Sequence, residues 1–190
     1  MEPVQEVIRD AGLAGEAGPM IGAHAIALGV VLAVAFQRLA EQMIAARNTK
    51  MLLEHGWREE GARHYPLIVA LHALWLIACA YAATVLSAIH WELLIAYGLL
   101  QIGRLWVILS LGPFWTTRIL THPEAPVLRR GIFRLVRHPN YVIVAAEIAL
   151  LPLAFGAWEI ALGFSVANGA LLYHRIRVEE AALVGRPEVR

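Results

Sequence analysis

The sequence contains few charged residues, a single cysteine and none of the common nucleotide- or metal-binding motifs. Asp, Glu, Lys and Arg make up 16% of its 190 residues, against about 25% in ordinary soluble domains. Cys79 is the only cysteine, so no intramolecular disulfide can form. A net charge of +1 offers no strongly basic surface for nucleic acid. The lack of a phosphate-binding glycine loop and of paired His or Cys spacings predicts neither a P-loop nor a bound metal.

Apolar residues are present in excess. They make up 59% of the chain, and the mean hydropathy is +0.60. A chain of this length cannot hide so much apolar surface in one soluble core, so lipid is the expected solvent for much of it.

Five apolar runs along the chain predict the architecture, and the first continues without Pro or Gly into a polar helical stretch, 37–54. The runs are 20–36, 66–89, 93–111, 141–155 and 160–173. The later runs form two pairs, each joined by a very short turn, as in a helical hairpin. The expected fold is an all-α integral membrane protein with about five transmembrane helices and a connecting segment before the fourth.

The distribution of basic residues predicts an orientation. With the N-terminus outside, 14 of the 16 Lys and Arg residues fall on the cytosolic side, as the positive-inside rule requires. Both outer turns lack Lys and Arg, and each carries a Trp-Glu pair, Trp91-Glu92 or Trp158-Glu159. We therefore expect a multi-pass protein of the inner or plasma membrane, if bacterial, with its C-terminus in the cytosol.

Polar residues concentrate in two cytosolic segments. The connection 112–141 is too long for a simple turn, and Pro139 stands where a helix should begin. The second segment, 173–180, continues the last helix and carries Arg175 and Glu179 four residues apart, on one face. Each segment alone could be an ordinary interfacial surface, with Arg175 and Glu179 as a surface ion pair. Their convergence on the same side favours a site between them.

Two ionisable residues lie inside predicted spans. Arg104 and Glu147 are costly at membrane depth unless they are paired or face a cavity. They could pair with each other, and they are predicted either to tie helices together or to belong to the site. His24, His72 and Asn168 are predicted to be hydrogen-bond partners between helices.

The segment Arg137-His138-Pro139-Asn140-Tyr141, with Gly131-Ile132-Phe133 upstream and Arg175-x-x-x-Glu179-Glu180 downstream, resembles the isoprenylcysteine carboxyl methyltransferase family. That family is related to the phospholipid methyltransferases. The resemblance covers most of the chain and is best over 106–183. It implies a single methyltransferase domain, 1–190, made of an N-terminal segment 1–19, helices 20–111 and a cofactor-binding core 112–190.

The resemblance implies S-adenosyl-L-methionine as cofactor and a lipophilic or prenylated acceptor that enters from the bilayer, in contact with membrane lipid. Arg175 and Glu179 are the implied catalytic residues. Arg104, Glu147 and Trp115 are further substrate candidates. The implied cofactor-binding residues are Gly131, Phe133, Leu135, Val136, Arg137, His138, Tyr141, Glu179 and Glu180.

Several activities remain open at this stage. Carboxyl methylation of an isoprenylcysteine-like acceptor needs no base, because a carboxylate is already ionised. Methylation of a lipid-like phenol or pyrone would need one, with His138 or Glu147 as candidates. N-methylation of a phospholipid is a further alternative. NADPH-dependent steroid-reductase-like enzymes share an RHPNY-type motif, but often carry a Gly-Glu pair one residue after the Tyr, where this chain has Val142-Ile143-Val144. A non-catalytic scaffold is the remaining class.

Overall fold

The computed structural model describes residues 13–123, 127–128, 133, 136, 138–183 and 188–189. The predicted helices are all present among them. They are α1 Leu13–Glu54, α2 Tyr65–Val85, α3 Trp91–Leu111, α4 Pro139–Ala154 and α5 Trp158–Leu183. Pro139 lies in the first turn of α4, as predicted, where its missing N–H removes no helical hydrogen bond.

Three helical stretches are long and apolar enough to cross a membrane: Met20–Glu54, Ala62–Val85 and Trp91–Phe114. Helix α4 is apolar but shorter, and α5 carries Asn168 and Arg175 among its apolar residues. The fold is therefore that of a helical membrane protein. The assignment of α4 and α5 as two further spans stays a prediction.

Helix α1 is continuous through the polar stretch 37–54, as predicted. Its 42 residues give a length of about 63 Å at 1.5 Å per residue, roughly twice the ~30 Å hydrocarbon thickness. The last turns of α1 therefore extend past the apolar part of the bundle.

The connections meet at two opposite ends of the bundle. At the hairpin end, formed by 86–90 and 155–157, the His90 N–H donates to the Ala154 carbonyl at 2.9 Å. The opposite end carries the connections rich in Lys and Arg, and we call it the basic end. There, strand β1 Arg58–Glu60 of the α1–α2 connection pairs antiparallel with β2 Ile119–Thr121 of the α3–α4 connection. Consecutive helices therefore run in opposite directions, as expected for hairpins.

Two short strand pairs accompany the predicted all-α fold. Besides β1 and β2, strand β3 Val127–Leu128 pairs parallel with β4 Glu188–Val189. The sequence of 112–141 shows no strand-like alternation. Strands of two or three residues are too short to produce a detectable alternation of apolar and polar positions.

Trp75 of α2 is fully buried in the main apolar core, against residues of α1 and α4. Its indole Nε1 donates to the Ile148 carbonyl of α4 at 3.1 Å. Pro152, four residues further along α4, has no N–H with which to bond that carbonyl. Trp75 thus replaces the helical hydrogen bond that Pro152 removes, and α2 is joined to α4 at this point.

Candidate active site

Four charged side chains from three helices form a buried group that we call the deep ion cluster: Arg38, Glu41, Arg104 and Glu147. Arg104 binds Glu41 through Nε and Nη2, both at 2.6 Å, and Glu147 through Nη1 at 3.0 Å. Arg38 binds the same two carboxylates, at 3.0 Å and 2.7 Å. With two cations and two anions, the cluster is neutral.

Two amides complete the deep ion cluster. Gln37 donates to Glu41 at 2.9 Å, and Gln101 donates to Glu147 at 2.9 Å. The Arg104–Glu147 pair expected from the sequence is therefore confirmed. Its two further charged partners lie on α1, in the stretch taken for a polar extension, and no sequence spacing indicated them.

A second polar group lies at the basic end, where α4 begins and α5 approaches its C-terminal end. We call it the mouth cluster: His138, Tyr141, Arg175, Glu179 and Glu180. Arg175 Nε donates to the Tyr141 hydroxyl at 2.7 Å, and that hydroxyl donates to Glu179. Arg175 Nη2 donates to the carbonyl oxygen of Thr117 at 2.7 Å.

The interpretation of Arg175 and Glu179 as a surface ion pair is wrong. Arg175 is buried, with 7% of its surface exposed. The Tyr141 hydroxyl lies between the Arg175 guanidinium and the Glu179 carboxylate and is hydrogen-bonded to both. The guanidinium group also lies over the Tyr141 ring, 5.5 Å from its centroid. Its Nη1 has no hydrogen-bond acceptor among the described residues, so one donor nitrogen stays available.

His138 occupies the outer part of the mouth cluster. Its ring stacks on Tyr141 with centroids 5.4 Å apart. Its two nitrogens lie 3.8 Å from Glu179 and 3.7 Å from Glu180, longer than a hydrogen bond. Both carboxylates are partly exposed. The group thus presents acids, an imidazole and an aromatic face that are not sealed by one another.

A cavity of about 330 Å³ lies between α1, α2, α4 and α5. Its wall is largely apolar, with Leu39, Ile68, Val144 and Leu172 among the lining residues. The polar lining comes from both clusters and from isolated residues: Arg38, Glu41, Gln42, Tyr65, His72, Arg104, Thr117, Asn140, Tyr141, Asn168 and Arg175. A mostly apolar chamber with a few polar groups is the usual form of a site for a lipophilic ligand.

A wider groove of about 610 Å³ adjoins this cavity. Gln42, Tyr65 and Thr117 line both spaces. The Tyr65 hydroxyl donates to Gln42 Oε1 at 3.0 Å and lies 3.1 Å from Thr117 Oγ1. These three residues form a hydrogen-bonded partition between groove and cavity.

The structure brings together His138, Tyr141, Arg175, Glu179 and Glu180 from the predicted site. Arg104 reaches the cavity from the deep ion cluster. Trp115, 2% exposed, packs with Ala45 and Val107 in a small core and is not among the residues that line the cavity.

The remaining predicted cofactor residues belong to the connection before α4. Phe133 packs against the same small core as Trp115, and Val136 is exposed. Gly131, Leu135 and Arg137 lie outside the described residues. Nothing in the described geometry tests their predicted roles.

Sequence reasoning missed the α1 and α2 side of the site. Gln42, Tyr65 and Thr117 line the cavity, and none of them belongs to a sequence motif that marks a site. His72, expected to bond a neighbouring helix, instead has its Nδ1 2.8 Å from the Ile68 carbonyl of its own helix. His24 does reach another helix end, through the Leu86 carbonyl at 3.0 Å. Among the described residues, no group of three or more His, Cys, Asp or Glu could hold a metal ion.

Comparison with known proteins identifies the class. The model of the isoprenylcysteine carboxyl methyltransferase (ICMT) family matches residues 93–185, which hold most of α3, all of α4 and α5, and the mouth cluster. The match defines a membrane methyltransferase. The chain belongs to the isoprenylcysteine carboxyl methyltransferase family.

Two bacterial relatives extend the likeness over most of the chain. The chain is 36% identical to Uncharacterized protein YpbQ of Bacillus subtilis (strain 168) over 151 residues, 77% of this chain and 90% of that protein. It is 29% identical to an uncharacterized protein of Haemophilus influenzae over 163 residues, 83% of this chain and 93% of that protein. No solved structure matches the chain significantly.

Proposed function

We propose that the protein transfers a methyl group from S-adenosyl-L-methionine to the carboxylate of a lipophilic acceptor, most simply an isoprenylcysteine-like acid. One observation carries this proposal: an apolar cavity whose wall contains Arg175, directly beside the Tyr141–Glu179–His138 group. The acceptor chain would fill the cavity, and its acid would lie at Arg175.

The mouth cluster fits the proposed cofactor. When bound, S-adenosyl-L-methionine supplies an electrophilic methyl group on a sulfonium. The Glu179 and Glu180 carboxylates could accept hydrogen bonds from its amino or ribose groups. The aromatic faces of His138 and Tyr141 suit a cationic centre. The predicted set also includes Gly131, Phe133, Leu135, Val136 and Arg137 on the connection before α4.

Charge balance in the cavity supports an acidic acceptor. The deep ion cluster is neutral, so its two arginines attract no further anion. Arg175 remains as the cation of the cavity wall, with Nη1 available. A carboxylate bound there is already a nucleophile at neutral pH, so the residues need only to orient it and exclude water. An amine acceptor, as in phospholipid N-methylation, would be repelled by the Arg175 guanidinium in the cavity wall.

Methylation of a lipid-like phenol or pyrone is the second candidate. It is favoured by the position of His138, whose nitrogens face Glu179 and Glu180 at 3.8 and 3.7 Å and which could accept a phenolic proton. Glu147, the other base considered, is held by Arg38 and Arg104 and is poorly suited to that role.

We further propose that the basic end faces the cytosol and the N-terminus lies outside. The basic end gathers the α1–α2 and α3–α4 connections and the end of α5, which together hold most of the Lys and Arg residues. The cofactor would then reach the mouth cluster from the cytosol, and the acceptor would come from the bilayer.

Calorimetry on the detergent-solubilised protein tests the cofactor. S-adenosylhomocysteine should bind and NADPH should not. Binding of NADPH alone would replace the methyltransferase proposal with a reductase. Transfer of a labelled methyl group to a panel of prenylcysteine, alkylphenol and phospholipid acceptors then identifies the substrate class. Labelling of the phospholipid alone would exclude an acidic acceptor.

A further inference from the structure

The inner part of the cavity contains an amide that the protein leaves unbonded. Asn168 of α5 is 3% exposed and lines the cavity, yet its side chain has no hydrogen-bond partner among the described residues. Its amide atoms are not among the fully enclosed unpartnered atoms, so they remain accessible from the cavity, where a ligand can make the hydrogen bonds that buried amides normally have. Asn168 therefore offers both a donor and an acceptor to whatever occupies the cavity.

His72 of α2 provides a second polar group in the same wall. Its Nδ1 lies 2.8 Å from the Ile68 carbonyl. A carbonyl cannot donate, so the proton of that bond belongs to Nδ1. In the neutral ring Nε2 then carries a lone pair, and it has no partner among the described residues.

The two residues lie at matching depths. Asn168 precedes Arg175 by seven residues on α5, and His72 follows Tyr65 by seven on α2. Seven residues are two helical turns, which returns to the same helix face about 10.5 Å further along the axis. Arg175 and Tyr65 both line the cavity nearer the basic end. Asn168 and His72 are thus both two turns deeper than the polar residues at the mouth.

We propose that Asn168 and His72 form a second polar subsite, which binds a hydroxyl or carbonyl group within the chain of the acceptor, about 10 Å from its reacting group. A hydroxyl there could donate to His72 Nε2 and accept from the Asn168 amide. A plain hydrocarbon chain would leave both groups unbonded. The inference therefore narrows the acceptor from an isoprenylcysteine-like acid, whose prenyl chain carries no oxygen, to an acidic lipid with an oxygen function within its chain. This inference rests on the proposed function, since it takes the cavity to be the acceptor site.

Binding of two matched lipids tests the subsite. Stearate and its mid-chain hydroxylated analogue are titrated into the solubilised protein, and the ratio of their dissociation constants is compared between wild type and Asn168→Leu. The wild type should prefer the hydroxylated lipid by about tenfold, the value of one or two well-made hydrogen bonds. Asn168→Leu should abolish the preference. Because the ratio is compared between proteins, unequal partitioning of the lipids into detergent cancels.

Asn168→Leu preserves side-chain size and removes an unbonded buried amide, so it should fold at least as well as the wild type. Leu162→Met, an exposed residue on the same helix that does not line the cavity, is the matched control and should keep the preference. Equal binding of the two lipids by the wild type, a preference that survives in Asn168→Leu, or binding of neither lipid would each overturn the subsite. The titration requires neither cofactor nor turnover, so its failure is distinct from failure to bind S-adenosylhomocysteine.

Discussion

The deep ion cluster and the mouth cluster contain the same kinds of side chain but are built differently. In the deep ion cluster each arginine binds both carboxylates, and Gln37 and Gln101 each donate to one of them. In the mouth cluster Arg175 reaches Glu179 only through Tyr141, and His138 lies beyond hydrogen-bond distance from its acids. Each carboxylate of the deep ion cluster has at least three donor contacts, which hold the helices together, although Arg38 Nε has no partner among the described residues. The mouth cluster, with its longer contacts, keeps binding capacity for a ligand.

The largest effect is expected when the deep ion cluster loses one of its charges. Glu147→Gln leaves two buried arginines facing one carboxylate. Removal of one partner from a buried ion pair costs about 3–5 kcal/mol, a large part of the stability of a typical domain. The thermal midpoint in detergent should fall sharply, with loss of the monodisperse peak on gel filtration. Glu159→Gln, an exposed acid at the start of α5, is the control and should change little. An unchanged midpoint in Glu147→Gln would show that the cluster does not stabilise the bundle.

The next largest effect is expected on turnover, when the mouth cluster loses its arginine. Arg175→Ala removes the cation proposed to hold the acceptor, and turnover should fall by about 10²–10³, as when one charge-stabilising donor is lost. Affinity for S-adenosylhomocysteine should be largely retained. The checks are labelled-methyl transfer and calorimetry on the same preparation. Arg177→Ala, an exposed arginine on the same helix, should keep its activity. Full turnover in Arg175→Ala would remove Arg175 from the acceptor site.

The smallest effect is expected on cofactor affinity, at the outer residues of the mouth cluster. Glu179→Gln and His138→Ala should each weaken S-adenosylhomocysteine binding by about tenfold, the value of a charge-assisted hydrogen bond. The thermal midpoint should stay near that of the wild type, because neither side chain is deeply buried. Glu92→Gln, at the hairpin end, provides the control. Wild-type affinity in both variants would place the cofactor elsewhere.

The sequence predicted features whose cause is local. Apolar runs and short turns predicted α1 to α5, and the fixed backbone angle of proline predicted that α4 begins near Pro139. The pairing of Arg104 with Glu147 followed because two opposite charges in an apolar setting have few other partners. The family motif also predicted that His138, Tyr141 and Glu179 lie close together.

The features that could not be predicted depend on distant contacts. Glu41 lies in a stretch of ordinary surface composition, and only the packing of α1 against α3 brings it to Arg104, 63 residues away. The i,i+4 spacing of Arg175 and Glu179 suggested a direct pair, because the position of Tyr141, 34 residues before Arg175, is not encoded in that spacing. The two-stranded ribbon β1–β2 likewise joins segments that are individually too short to show a pattern.

The bond from Trp75 to the Ile148 carbonyl has a mechanical consequence. Close packing already limits rotation of a helix about its axis, and a directional hydrogen bond limits it further. Here the indole fixes the rotation of α4 about its axis, because only one angular setting of α4 presents that carbonyl to α2. Tyr141 precedes Ile148 by seven residues, two whole turns, and therefore points the same way. Trp75 therefore fixes the rotation of α4 in the middle of the bundle. Because α4 is one continuous helix, the same rotation directs the Tyr141 hydroxyl toward Arg175.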